Sequence, residues 1–397
     1  MAAPLDTATS SNDGEPVRRS VEVEYWVIDD RGRLTEPGDL LDASPGVERE
    51  FVAPLLEIKT TPCESTAALR DELFDRLGRV LRRAEDRGKR LVPLATPIHH
   101  GPIEDRPSER TRIQDRVLGE NFEYVRHCAG THIHIEQQPG REIDQLNTLI
   151  ALDPALALVN SSPYFGTTKL AAGARSQLYR RLAYAALSHQ GGLWPYAADR
   201  ETWARRVDRC YEEFLTEAAI AGLDRDTVES HFEPEGTAWT PIKLRDRFST
   251  VEWRSPDTAL PSQVVRLADE IAGLVGHATE VDVRIEGETG RVTSDSIVLP
   301  EFEALEPYVD AAIRDGLSSS SVRSYLERMG FNVAAYDPLS TELAAVGEPT
   351  NAEARSLRLR YADRLERDLS RGVRSMSVDP REHRPSADER TSRSDSR

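Results

Sequence analysis

The chain predicts an α+β fold, an antiparallel sheet with a charged active-site face and helices packed on the other face. Three observations lead there. Four segments alternate apolar and charged side chains with period two: Val21-Glu22-Val23-Glu24-Tyr25, Leu55-Leu56-Glu57-Ile58-Lys59-Thr60, Gly130-Thr131-His132-Ile133-His134-Ile135-Glu136 and Thr250-Val251-Glu252-Trp253-Arg254. That alternation is the signature of a strand buried on one side. Amphipathic helical runs lie between them, without the regular strand–helix alternation of a parallel sheet. Finally, Asp29-Asp30-Arg31-Gly32 is turn chemistry that suits a hairpin.

Taken in order, residues 1–19 carry no periodic apolar pattern and read as a mobile arm. The strand of Glu22 and Glu24 continues through Trp26-Val27-Ile28, and Arg33-Leu34-Thr35 is its expected hairpin partner. Ser65 reads as a helix N-cap, with Leu69, Leu73, Leu77, Val80, Leu81 and Ala84 on one helical face and Gly88 as the stop. Leu91 to Thr96 predicts a buried strand, and 99–116 a polar loop or short helix. Helices are expected at 142–152, 174–188 and around Trp203 to Gly222, then at 262–277. Residues 279–298 suggest a hairpin about Glu288-Thr289-Gly290, followed by helices at 302–314, 319–329 and 352–371. Beyond 373 the Ser-, Arg-, Asp- and Pro-rich composition predicts a disordered tail. Residues 20–372 read as a single catalytic domain.

Composition narrows the function. The 397 residues carry 68 acidic and 51 basic side chains, a net charge of −17, which argues against nucleic acid as a partner. Lysine stands only at positions 59, 89, 169 and 243, so arginine supplies nearly all positive charge. That balance suits a salt-loaded cytoplasm, although an arginine-rich codon bias gives the same pattern. Cys63, Cys128 and Cys210 form no CxxC, as in a reducing cytoplasm. No apolar run reaches the ~20 residues of a membrane span.

The chemistry sits on the charged sides of the four strands. His132, His134 and Glu136 share one face, a donor set that suits a divalent metal or a nucleotide with its metal. A strand whose histidines simply hydrogen-bond to neighbours would look the same. If the four strands belong to one sheet, its polar face gathers at least four carboxylates and two histidines. Such crowding asks for Mg²⁺ or Mn²⁺, and those ions usually bring phosphate. Walker, Rossmann, GxSxG and HExxH motifs are absent, so a nucleotide would be held by metals on carboxylates and by scattered arginines. His99-His100 is a weaker candidate for the same site.

These residues also carry a resemblance. Val21-Glu22-Val23-Glu24, Leu55 to Pro62, Gly130 to His134, Ser161-Ser162-Pro163-Tyr164-Phe165-Gly166 and Val251 to Asp257 occur in an order and spacing that resembles the glutamate–cysteine ligase family and its carboxylate–amine ligase branch. The fold of that family is related to glutamine synthetase. The resemblance covers residues 20–277. It implies metal binding by Glu22, Glu24, Glu57, His132 and Glu252, with Arg254 facing phosphate or a substrate carboxylate beside Glu252. It also implies a substrate-carboxylate arginine, for which Arg175 and Arg180 are the matches, and Glu50 is a candidate for a further acid. His134 stands where relatives vary, and Glu136 reads equally well as a solvated strand end. Val23 departs from members that carry a third acid there.

The activity implied is ATP- and Mg²⁺-dependent joining of glutamate and cysteine through an acyl phosphate, in the cytoplasm, with a homodimer as the assembly considered. Glutamate or another carboxylate joined to a different amine is the alternative. A cupin-like metalloenzyme fits less well, because only Ile135 separates His134 from Glu136 and the helices are long. A non-catalytic nucleotide sensor would have no need of all four charged strands.

Overall fold

The structure is a computed structural model that describes residues 17–376, with side chains to 372. Its strands are β1 (Arg19–Asp29), β2 (Val47–Arg49), β3 (Leu55–Lys59), β4 (Lys89–Val92), β5 (Thr131–Glu136), β6 (Tyr164–Phe165), β7 (Thr168–Lys169), β8 (Ile242–Arg245), β9 (Thr250–Trp253), β10 (Asp282–Ile285), β11 (Arg291–Val292) and β12 (Ser296–Leu299). The described residues build a seven-stranded sheet in the order β2-β3-β1-β5-β9-β8, with β4 also on β1, and every pairing is antiparallel. β1 is the spine. Glu22 to Trp26 pair with β3 on one edge, while β5 and β4 take Arg19–Val23 and Trp26–Asp29 in tandem on the other.

The pleat sorts side chains as the alternation requires. Val21, Val23, Tyr25, Leu56, Ile58, Ile133, Ile135, Val251 and Trp253 are buried in one apolar cluster with the helices Thr66–Asp86, Glu142–Ala151 and Pro261–Glu280. The Ser65 hydroxyl accepts from the Ala68 N–H and caps the first of these. On the opposite face, Trp26 and Ile28 continue β1 into a second apolar cluster with Leu55, Val92, Tyr164 and Tyr361, which bounds the charged region at that end. The architecture is α+β.

Several boundaries differ from expectation, each for a local reason. Arg33-Leu34-Thr35 makes only a bridge, Ile28 to Leu34, rather than a strand. The strand expected at 91–96 ends at Val92, because Pro93 has no N–H to continue the ladder. The helix expected at 174–188 stops at Arg181: the next turn instead stacks Tyr184 on Trp239 at 5.3 Å. Between 279 and 298 the hairpin joins β11 to β12 about Ser294-Asp295, and β10 pairs with β12 in parallel. The last helix, Asn351–Met376, runs past 373, where the tail was expected to begin. The rest of that tail, and residues 1–16 of the expected arm, lie outside the described residues.

Candidate functional site

Cross-strand register decides which charges meet. Glu24 stands opposite Glu57, Glu22 lies between Lys59 and His132, and Glu252 lies between His134 and Lys243. Three sets of ligand atoms therefore converge, each within 4.8 Å: Glu22, Glu57 and His132; Glu22, His134 and Glu252; Glu24, Glu50 and Glu57. Glu22, Glu24, Glu57, His132 and Glu252 share one face, and Glu50 and His134 join them. Glu136 does not; it pairs with Arg18 at the sheet's end. His99 and His100 line a separate cavity of about 380 Å³ with Arg33, Arg355 and Arg358.

The electrostatics favour cations at this face. Burial first, then Glu24 and Glu57, raises the carboxyl of Glu50 well above its usual range. Burial, with Glu22 and Glu24, pushes Glu57 up to about 8. Lys59 bridges Glu57 at 2.9 Å, Glu48 at 3.0 Å and Glu22 at 3.7 Å, one cation among three acids. Burial and Arg254 depress His132 to about 4, so its ring is neutral near pH 7. His134 is anchored through Nδ1 to the Thr250 hydroxyl at 3.1 Å. Its Nε2 is buried without a hydrogen-bond partner, 3.8 Å from carboxylate oxygens of both Glu22 and Glu252. An imidazole held through one nitrogen, with the other aimed at carboxylates, is how proteins orient a metal ligand. Carboxylate oxygens with one or two imidazoles fit Mg²⁺ or Mn²⁺.

The Arg254 end of β9 opens into a pocket of about 240 Å³. Arg175, Arg254, Lys243, Tyr179, Tyr184 and Trp239 line it. Arg254 is ion-paired with the fully buried Glu252, which Arg245 also contacts at 2.6 Å. Burial opposes ionisation of Glu252, but Arg254, His134 and Arg245 outweigh it and hold the group well below the usual carboxylate range. Arg175 donates from Nη1 to the carbonyls of Arg254 (3.0 Å) and Ser255 (3.1 Å) and lies over the Tyr179 ring. Gly130 is the residue beside it because a methyl group there would run into the guanidinium. Arg180 makes a two-pronged pair with buried Asp153, at 2.7 and 3.1 Å, and reaches Ser255. Both arginines line the pocket, and the hydrogen bonds above brace the chain that follows β9.

Sequence reasoning missed β8. Ile242-Lys243-Leu244-Arg245 brings Lys243 and Arg245 to the charged face, yet it is short and lies against a proline. The alternation of Ile242 and Leu244 with two cations was the available signal. Burial and Arg254 lower Lys243 to about 7, so Lys243 gives up its proton far more readily than an exposed lysine. The Ser161-Ser162 motif is scaffolding: the Ser161 N–H donates to Asp257, and its hydroxyl accepts from Ala95.

Known proteins similar to this chain bear on its family. A relative in Rubrobacter xylanophilus, provisionally named glutamate–cysteine ligase 2-3, is 28% identical over 283 residues, 67% of this chain and 71% of its own. A provisionally named glutamate–cysteine ligase 2-1 of Rhodococcus jostii is 24% identical and covers 81% of each chain. Among solved structures, a glutamate–cysteine ligase of Francisella tularensis in complex with AMP matches with TM-score 0.46 and 12% identity, over 92% of this chain and 95% of that one. A bifunctional glutathione synthetase of Pasteurella multocida matches with TM-score 0.49 and 13% identity; 89% of this chain is covered, and it spans 53% of that protein's length. The model of glutamate–cysteine ligase family 2 matches residues 21–376, nearly the whole chain, and the chain belongs to that family.

Proposed function

We propose that the protein is an ATP-dependent carboxylate–amine ligase that joins glutamate to cysteine. The observation that carries this reading is the juxtaposition of a buried carboxylate–imidazole face with a cationic, aromatic-walled pocket at one end of it. Glu22, Glu24, Glu50, Glu57, His132, His134 and Glu252 would hold Mg²⁺ or Mn²⁺, whose contribution is to neutralise phosphate charge.

The rest falls to the protein's own side chains. A carboxylate oxygen of glutamate attacks the γ-phosphorus of ATP, the bond to the bridging oxygen breaks, and ADP leaves. The amine then attacks the acyl phosphate, phosphate departs, and the amine proton passes to solvent. Arg254 lies between pocket and cluster, where it can meet the phosphoryl group or the attacking carboxylate. Glu252 fixes its position, and such preorganised charge is what phosphoryl transfer chiefly needs. Arg175 and Arg180 keep the wall behind it rigid, and either could meet a substrate carboxylate by exchanging a present partner.

A second reading keeps the chemistry and changes the amine. Tyr179, Tyr184 and Trp239 in the wall favour it, because flat aromatic faces accept apolar side chains of several shapes. ADP release by purified protein with ATP and Mg²⁺, omitting glutamate and the amine in turn, tests both. ADP formed only with glutamate and cysteine together supports the first reading; ADP formed with another amine in place of cysteine supports the second. No ADP with any carboxylate–amine pair overturns the ligase assignment. We place the enzyme in a reducing cytoplasm, since all three cysteines are buried and unpaired. No described helix is long and apolar enough to cross a membrane.

A further inference from the structure

The charged face has two ends, and they differ. At the Arg254 end lies the walled pocket. At the other, β8 and β9 join in a tight hairpin whose tip carries Phe248, 54% exposed. Exposing a phenylalanine on a turn forgoes the burial its ring would gain elsewhere. The turn that carries it is also held in place. The Gln137 N–H donates to the Ser249 carbonyl at 2.8 Å, and Arg200 reaches across to Asp246 (2.5 Å) and Gln137 (3.3 Å). Ser249 itself takes the left-handed conformation, φ 51°, that closes the turn. The ring stands edge-on to His134, centroids 6.4 Å apart, one side chain beyond the carboxylates. Arg245 and Arg247 lie 4.9 and 5.7 Å from its centroid.

In-line transfer places the attacking and leaving oxygens on opposite sides of the phosphorus. If the walled pocket holds the attacking carboxylate, ADP departs toward the hairpin end. We propose that Phe248 is the platform on which the base of the nucleotide stacks, with Arg247 adding a cation to the sandwich. This rests on the ligase reading. A flat ring flanked by guanidinium groups is the chemistry that grips a base without reading its edges. Arg245 is fixed by Glu252 and Glu235. Arg247 is 72% exposed and only 3.9 Å-paired with Glu233, so it can swing aside to admit a base.

The test uses two probes on the full-length protein, MgADP and magnesium pyrophosphate, which shares the two phosphates but lacks the nucleoside. By isothermal titration, Phe248→Ala should weaken MgADP about 5- to 150-fold, the range for losing one stacked base. Pyrophosphate affinity should stay as in the wild type, and Phe248→Trp should restore MgADP binding. The KM for ATP should rise in parallel with the loss of MgADP affinity. Unchanged MgADP affinity overturns the proposal while the ligase reading stands. Equal losses for both probes overturn it too, since the hairpin would then act on the phosphates. An altered oligomeric state with MgADP affinity intact would show a ring that covers a second copy, and also overturns it. A wild type that binds neither probe removes the ligase reading itself.

Discussion

The two faces of the sheet are made by the same strands and differ in almost every physical respect. Ile133 and Ile135 project into an apolar cluster against three helices, while His132 and His134, their immediate neighbours, project into carboxylates. One face lowers the free energy of the folded chain by removing hydrocarbon from water. The other raises it around Glu50 and Glu57, where buried like charges stay together without sufficient counter-charge. The difference teaches that the charged face is maintained at the expense of the apolar one, and that a cation bound there would relieve the strain.

Substitutions on neighbouring residues should separate the two faces. The largest effect is expected at Glu252→Gln, which keeps shape but removes the negative charge between Arg245 and Arg254. Turnover should fall on the order of 10²–10³-fold, as for loss of a comparable electrostatic group. Raising Mg²⁺ or substituting Mn²⁺ should recover part of it, as read by ADP release; full ligase rate in the variant would remove Glu252 from the mechanism. Next comes Ile133→Ala on the opposite face, which should cost about 2–5 kcal/mol in denaturant unfolding. Its kcat well below the melting point should fall far less than that of Glu252→Gln; a comparable loss would show that the faces are not independent.

A smaller effect concerns pH. Burial, Glu22 and Glu24 hold the Glu57 pKa at about 8 against 4.5 unfolded, so the folded chain keeps a proton that the unfolded chain has released. Its contribution to stability is therefore full below pH 4.5 and is lost as pH rises through 8. Metal-free protein should melt several degrees lower at pH 9 than at pH 6. Mg²⁺ should narrow that gap, and Glu57→Gln should flatten part of it. A melting curve independent of both pH and metal would break the account of the charged face. The smallest expected effect is general: with a net charge of −17, melting temperature should rise modestly from dilute buffer to molar KCl. A flat or falling temperature would count against salt adaptation.

Much of the sheet was legible in the sequence because period two survives any tertiary context: a strand with Glu22 and Glu24 on one side must put Val21 and Val23 on the other. The convergence of Glu22, Glu24, Glu57, His132 and Glu252 follows once the strands share a sheet. What was not legible depends on packing between distant segments. Glu50, which only the family resemblance offered, lies outside any strand and reaches the cluster because the chain turns between β2 and β3. Lys243 and Arg245 sit on a strand too short to announce itself. Tyr184 and Trp239 are 55 positions apart, and their stacking ends a helix that local propensity would have prolonged. Nothing in the sequence singles out Phe248, since its exposure follows from the fold around it.

The unequal faces also bear on how the chain finds its pairing. A slip of β5 by one residue against β1 would drive His132 and His134 into hydrocarbon and set Ile133 and Ile135 among carboxylates. Neither set could be accommodated, so misaligned pairings have no comfortable minimum. The residues that crowd charge together thus double as a key for register: a sheet with two bland faces could slide by one residue, whereas this one penalises every odd shift.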